Sequence, residues 1–279
     1  WGSRAITGRI AEDDLVSVRD FDDIAIGDAM RAVGLDPARV LEARRDDIDA
    51  FVELHIEQGP ILEQAGLPVA IVEAITGIRH YQVVLEGTQN HAGAFPMDLR
   101  RDPMVGFGEI ASGLIDSAHR WGRPAVSTVG RVAVSPNGTA VIPERVTFTV
   151  DARHPDPGSF HRLCRTHEAH MLEVAARRDL AIRWRTLIQF EPSPSDPAIV
   201  EALTTAAALQ GVPHLVMASG AAHDTQQMAQ IARTAMVFVR SKDGRSHTPE
   251  EYSSLDDIVA GIEVLTAGLH RLAYRGESA

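Results

Sequence analysis

The sequence predicts a two-domain α/β protein in which a ferredoxin-like βαββαβ unit, residues 77–189, is inserted into an α/β layer domain made of residues 1–76 and 190–279. Apolar runs such as Val69–Val72 and Ala235–Val239 read as buried strands, and helical patterns opening at Asp-Pro pairs stand around them. At Thr76-Gly77 the texture changes to alternating strands, and the order strand-helix-strand-strand-helix-strand that follows is the ferredoxin-like one. Glu191-Pro192-Ser193-Pro194-Ser195 then reads as a hinge back to the first domain.

Taken in order, residues 1–50 read as short helices and loops, with Gly34 ending one helix and Asp36-Pro37 starting another. A strand over 51–58 alternates Val52, Leu54 and Ile56 with Glu53, His55 and Glu57. Pro60 to Gln64 forms a short helix closed by Gly66, and the 69–72 strand follows. In the insert, strands are expected at 81–85, 126–134, 146–150 and 180–187, with helices from Asp102-Pro103 to about Trp121 and over 157–178. Phe160, Leu163, Cys164, Met171 and Val174 make one stripe of the second helix, whose His161, His167 and His170 are expected on a solvated face. After the hinge come a helix from Asp196-Pro197 to Gly211, a short strand 215–217, a helix 224–231 and the strand 235–239. Thr248 to Glu251 has the form of a capping box opening a helix. A last amphipathic helix with Leu255, Ile258, Val259, Ile262, Leu265 and Leu269 is expected to cover the sheet.

Composition narrows the partners. The 279 residues are 44% hydrophobic, enough for a real core, and the formal charge is −11. With no cluster of Lys or Arg to neutralise phosphates, nucleic acid and anionic membrane are not expected as partners, which leaves small molecules and proteins. A single cysteine, Cys164, rules out an internal disulfide framework and suits a cytoplasmic protein. No signal peptide is expected, and no apolar run of bilayer length occurs in these residues. Because it starts at Trp1-Gly2-Ser3-Arg4 without Met, the chain is expected to have lost something upstream.

The chemistry concentrates in four short polar motifs at strand or loop ends. The face of the 51–58 strand carrying Glu53, His55 and Glu57 is expensive to bury unless a divalent cation binds it; the alternative is a solvated edge strand. His91 lies in Asn90-His91-Ala92-Gly93, His223 in Ser219-Gly220-Ala221-Ala222-His223-Asp224, and His247 in Ser246-His247-Thr248-Pro249. Ends of buried strands are where α/β proteins build sites.

These motifs, in the order His-Ile-Glu-Gln-Gly-Pro, Asn-His-Ala-Gly, Ser-Gly-Ala-x-His-Asp and Ser-His-Thr-Pro, with Pro96-Met97 and Arg100-Arg101-Asp102, resemble the amidase branch of the M20 metallopeptidase superfamily. The branch contains N-carbamoyl-L-amino acid hydrolases, β-ureidopropionases and allantoate amidohydrolases, and the resemblance covers essentially the whole chain. It implies the inserted dimerisation and lid domain, and a two-metal site holding Zn, Mn, Co or Ni. His55 matches a ligand of one metal and His247 a ligand of the other. His91 matches a histidine that reaches across a homodimer, built through residues 77–189, to stabilise an oxyanion. Gln58 and His223 match substrate-contacting groups, and Arg153 matches an arginine that binds the substrate carboxylate. The implied reaction is hydrolysis of a linear amide or ureido C–N bond in an N-carbamoyl amino acid or allantoate-like compound.

Departures from the pattern matter too. The resemblance places a bridging Asp, a His, a Glu ligand and a Glu general base upstream of a segment like Gly2-Ser3-Arg4, so this chain alone is expected to bind one metal ion or none and to be inactive. Ala140 stands where the branch has Asn in an Asn-Val-Ile-Pro-like run, with Asn137 three residues before it as the candidate substitute, and Ala94-Phe95 replaces two threonines. Two rivals remain: an aminoacylase or dipeptidase of the same fold, and a non-catalytic dimerising homologue. Alternation along 146–150 also puts Arg153 on the side of Asp151, so a structural ion pair competes with the substrate role.

Overall fold

Eleven strands order the computed structural model, which describes residues 1–274: β1 Ala50–Ile56, β2 Val69–Ile75, β3 Gly77–Glu86, β4 Asn90–His91, β5 Val126–Ser135, β6 Val141–Ile142, β7 Arg145–His154, β8 Ala181–Phe190, β9 Ser193–Pro194, β10 His214–Ser219 and β11 Arg233–Val239. Two compact units result. One contains Trp1–Glu73, Ser195–Met217 and the chain from Ala222 on; the other contains Ala74–Pro194 and Ala218–Ala221. The last five residues of the expected 190–279 segment lie outside the described residues.

In the first unit β1 runs parallel to β11, which pairs antiparallel with β2, giving the order β1-β11-β2-β10. Val69, Ile71, Ala235 and Val237 are buried against Ile199 and Leu203 of the helix Pro197–Leu209 and Val264 of the helix Leu255–Tyr274. The residues before β1 form the expected short helices, Gly2–Ile6, Asp14–Ser17 and Ile26–Ala32, and a 3-10 turn Pro37–Ala43. Helix Ile61–Ala65 ends at Gly66 with φ 68°, the left-handed cap that glycine adopts without strain.

The final helix corrects one expectation. Leu255, Val259, Ile262 and Leu269 are exposed, and the packing face is made by Gly261, Val264 and Gly268. A Cβ on Gly261 would stand 2.3 Å from Val239 Cγ1 and 2.9 Å from Leu54 Cδ1, so absence of side chains, rather than an apolar stripe, lets this helix lie against the sheet. Its cap differs as well. Residues 249–250 form a turn, and the helix begins at Leu255, where the Asp257 N–H donates to Ser254 Oγ (3.1 Å) and Ser254 Oγ–H donates to Asp257 Oδ2 (2.5 Å). Glu251 is used elsewhere, as described below.

The second unit is a four-stranded antiparallel sheet, β5-β7-β3-β8, with helices Pro103–Trp121 and Pro157–Arg177 on one face. Tyr81, Val83, Leu85, Val146, Phe148 and Val150 are buried beneath them with Ile110, Leu114, Phe160, Leu163, Cys164 and Met171. This is the ferredoxin-like arrangement, and Cys164 is a buried core residue. His167 departs from its expected solvated face: it is fully buried, with Nε2 3.1 Å from Ser127 Oγ, because it continues the Leu163–Cys164 stripe one turn on. His161 and His170 are half-buried, at Glu191 Oε2 (3.2 Å) and Glu109 O (3.3 Å) respectively. A two-stranded ribbon, β4 with β6, gave no signal in the sequence because each strand is only two residues long. No helix among the described residues is long and apolar enough to cross a membrane.

Candidate metal centre

Alternation along β1 puts Glu53 and His55 on one face, in register with Met236 and Phe238 of β11. His223 arrives from the loop before the helix Asp224–Met228. One ligand atom from each of Glu53, His55 and His223 lies within 4.8 Å of the others, the only such group among the described residues.

Each member is prepared as a ligand. His55 Nδ1 is 2.7 Å from the Ile56 carbonyl, which can only accept; the ring proton therefore sits on Nδ1 and the Nε2 lone pair is free. The His223 side chain is almost wholly buried, and burial first, then the neighbouring His55, push its pKa down to about 4, so it is a neutral imidazole at pH 7. The two rings meet edge-on, with centroids 4.7 Å apart, and Phe238 backs them both. Glu53 Oε2 accepts from Thr225 N (2.9 Å) and Thr225 Oγ1 (2.5 Å), while Oε1 stands 3.9 Å from His223 Nδ1. Two imidazoles and an oriented carboxylate are the donor set of a three-ligand catalytic metal site. The residues present fit a divalent cation.

Glu57, expected on the same face, is not part of the group. Its carboxylate accepts from Ile61 N (2.7 Å) and Leu62 N (2.9 Å), capping the helix Ile61–Ala65, because β1 ends at Ile56 and Gln58 turns the chain with φ 58°. Gln58 is tied down on both sides: its backbone N–H donates to Ser241 Oγ (3.0 Å) and its Nε2 to Ser246 Oγ (2.8 Å). Ser246 Oγ donates on to Glu251 Oε2 (2.7 Å), which also accepts the His247 N–H (3.2 Å). These bonds, Ser246 first, hold the Glu251 carboxyl below its ordinary pKa, with His247 and His55 adding to the effect. His247 itself is exposed, with φ 59°, and stands outside the three-residue group. Thr225 is a supporting residue that no motif pointed to, while Ser246 and Glu251 lay in the motifs around His247 but were not read in this supporting role.

In the second unit His91 is exposed on β4, and its Nδ1 accepts from Gly93 N (3.0 Å) and Ala94 N (3.1 Å). When neutral it therefore carries its proton on Nε2, facing outward as a donor. Beside it, Ala140 O accepts the Ala92 N–H (3.0 Å), so the position lacking the branch's Asn adjoins His91. Asn137 is exposed in the β5–β6 loop with φ 59°. Arg153 is half-buried and paired with Asp151, Nε to Oδ1 at 3.0 Å and Nη2 to Oδ2 at 2.7 Å, with Nη1 donating to Gly220 O (2.8 Å). The ion pair that alternation allowed is thus made.

A model of peptidase family M20/M25/M40 matches residues 2–271. The chain belongs to this family. It is 37% identical over 275 residues to an allantoate amidohydrolase of Escherichia coli, covering 99% of this chain and 67% of that protein. Identity to an N-carbamoyl-L-amino acid amidohydrolase of Geobacillus stearothermophilus is 39%, covering 98% and 66%. The crystal structure of a hydantoinase/carbamoylase family amidase from Burkholderia multivorans superposes with a TM-score of 0.87 at 34% identity, covering 97% and 66%. The chain thus spans about two thirds of the length of the M20 relatives it matches.

Proposed function

We propose that the protein is a metal-dependent amidohydrolase that cleaves the linear amide or ureido C–N bond of an N-carbamoyl amino acid or an allantoate-like compound bearing a carboxylate. The observation that carries this reading is the Glu53–His55–His223 donor group in a chain 35–39% identical to relatives named for those substrates. A bound divalent cation, one of Zn, Mn, Co or Ni, supplies Lewis acidity there. On the resemblance, His91 reaches across the homodimer and offers its Nε2–H, the nitrogen not engaged by Gly93 and Ala94, to the developing oxyanion. Gln58, held through Nε2 by Ser246, presents its Oε1 to a ureido N–H. Arg153, with Asp151 filling one side of the guanidinium, keeps one N–H on each terminal nitrogen for a substrate carboxylate. Asn137 and His247 are assigned to substrate and to a second cation on the resemblance alone.

Elemental analysis together with release of ammonia from N-carbamoyl amino acids and allantoate tests the reading. Expected are one cation per chain at the three-residue group and, in a protein carrying the full length of its relatives, turnover lost to a chelator and regained with metal. No turnover of either substrate class with metal bound, in a protein carrying the full length of its relatives, would overturn it. Turnover of dipeptides or N-acyl amino acids alone would move the assignment to an aminoacylase or dipeptidase.

A homodimer through the second unit and a cytoplasmic location complete the proposal. The dimer is supported by β5 and β8, two ten-residue edge strands with one open side each. The location is supported by the single, reduced and buried Cys164.

A further inference from the structure

The uncovered face of the four-stranded sheet carries a polar trio that no motif announced. His80 on β3 is the register partner of Asp151 on β7, so the two side chains share a face, and Arg153 follows two residues along the same strand. His80 Nε2 lies 2.9 Å from Asp151 Oδ2, the oxygen that also accepts from Arg153 Nη2. Burial alone would raise the Asp151 pKa; the contacts with Arg153 and then His80 outweigh it and hold the carboxyl below its ordinary range. An ionised carboxylate carries no proton, so the His80 nitrogen facing it must be the donor. The sheet is also irregular at this point: the β3–β8 register shifts between His80 and Tyr81, with Leu187 of β8 the extra residue opposite them. Against His80 and Asp151 lies a cavity of about 260 Å³, lined also by Thr128, Thr149 and Leu187.

We infer that His80 is a positioning residue for Arg153, acting through Asp151, and that the guanidinium is thereby presented to a carboxylate-bearing ligand. Without His80, Asp151 Oδ2 is held by Arg153 alone, and the two side chains are free to turn together. With it, the carboxylate is fixed from a second strand and the guanidinium plane is set. Asp151 takes the Nε–Nη2 side, so a ligand meets the remaining N–H groups of Nη1 and Nη2. The carboxylate part rests on the role proposed for Arg153 above; the positioning part does not.

The test separates the two. The exchange rate of the Arg153 Nε–H is read by NMR in the parent chain, in His80→Gln, which keeps a donor, and in His80→Phe, which keeps the ring but has none; Arg153→Lys assigns the signal. Binding of N-carbamoylglycine and of its amide is titrated on the same samples, with melting temperatures alongside. Expected is exchange faster by about tenfold in His80→Phe and close to parental in His80→Gln, as for loss of one charge-assisted hydrogen bond in a shared network. A lower preference for the carboxylate over the amide is expected in His80→Phe only. Unchanged exchange in His80→Phe, or equal acceleration in both variants, overturns the inference. Should His80→Phe not fold, Asp151→Asn replaces it, with the same fast exchange expected and the same unchanged exchange decisive against. If exchange responds as expected while Arg153→Lys leaves the preference for carboxylate untouched, the positioning role stands and the carboxylate role of Arg153 falls.

Discussion

Glu53, His55 and His223 differ in how far a sequence can announce them. Glu53 and His55 were legible as a pair because a strand repeats every two residues, whereas Glu57 obeys the same period and is diverted to cap a helix where the strand stops. His223 joins them through the fold, from 168 residues away in sequence to His55, and no local pattern could say whether it meets metal or substrate. Replacing His55 or His223 by Ala is expected to abolish stoichiometric metal binding, measured by calorimetric titration with Zn²⁺. Thr225→Val, which removes the hydroxyl bond to Glu53 and keeps the backbone one, should weaken the same binding by about 10–100-fold, the range for groups that orient a ligand. Equal affinity in Thr225→Val and the parent would mean that Glu53 is not a ligand.

Among the elements, two of the long helices teach opposite lessons about hydrophobic pattern. In Pro157–Arg177 the stripe was read correctly, yet His167 was assigned by residue type instead of by its place on that stripe. Burial pushes its pKa down to about 4, below the ordinary value of 6.5, so the native state favours the neutral ring. The stabilising contribution of that preference is complete above the unfolded pKa and is lost as pH falls from about 6.5 toward 4, a slope summing to roughly 3 kcal/mol for a fully buried group. His167→Gln should flatten the acid limb of stability against pH, measured by urea unfolding between pH 4 and 7. In Leu255–Tyr274 the pattern misled, because glycines make the contact that leucines were expected to make. Gly261→Ala, which relieves no strain and adds a methyl 2.3 Å from Val239 Cγ1, is expected to cost about 1–3 kcal/mol in the first unit, whereas Ile262→Ala on the exposed side should be nearly neutral.

At the scale of the molecule, the ferredoxin-like sheet was legible because βαββαβ is written in consecutive elements, each with its own period. The first sheet was legible as buried strands but not as an order, since β1-β11-β2-β10 joins segments from both ends of the chain. The proposed dimer is tested by sedimentation equilibrium: a mass near twice the chain's 30.2 kDa is expected, falling toward that of one chain when Lys is placed on the edge strands at Val132 and Ile188 together. A parental mass in that double variant would exclude both edges as the interface.

The parallel pairing of β1 with β11 also dictates a timetable. Partners such as Ala50 and Arg233 are about 180 residues apart, so during synthesis the first of these strands emerges and then waits while the whole second unit is made. That unit draws its sheet from residues 77–190, all local by comparison, and can fold as soon as β8 has left the ribosome. The donor group then matures after that unit, since Glu53 and His55 acquire their backing at Phe238 only once β11 has been made. In that interval the nascent chain carries a finished second unit and an unfinished donor group, and cation capture follows the folding of that unit instead of preceding it.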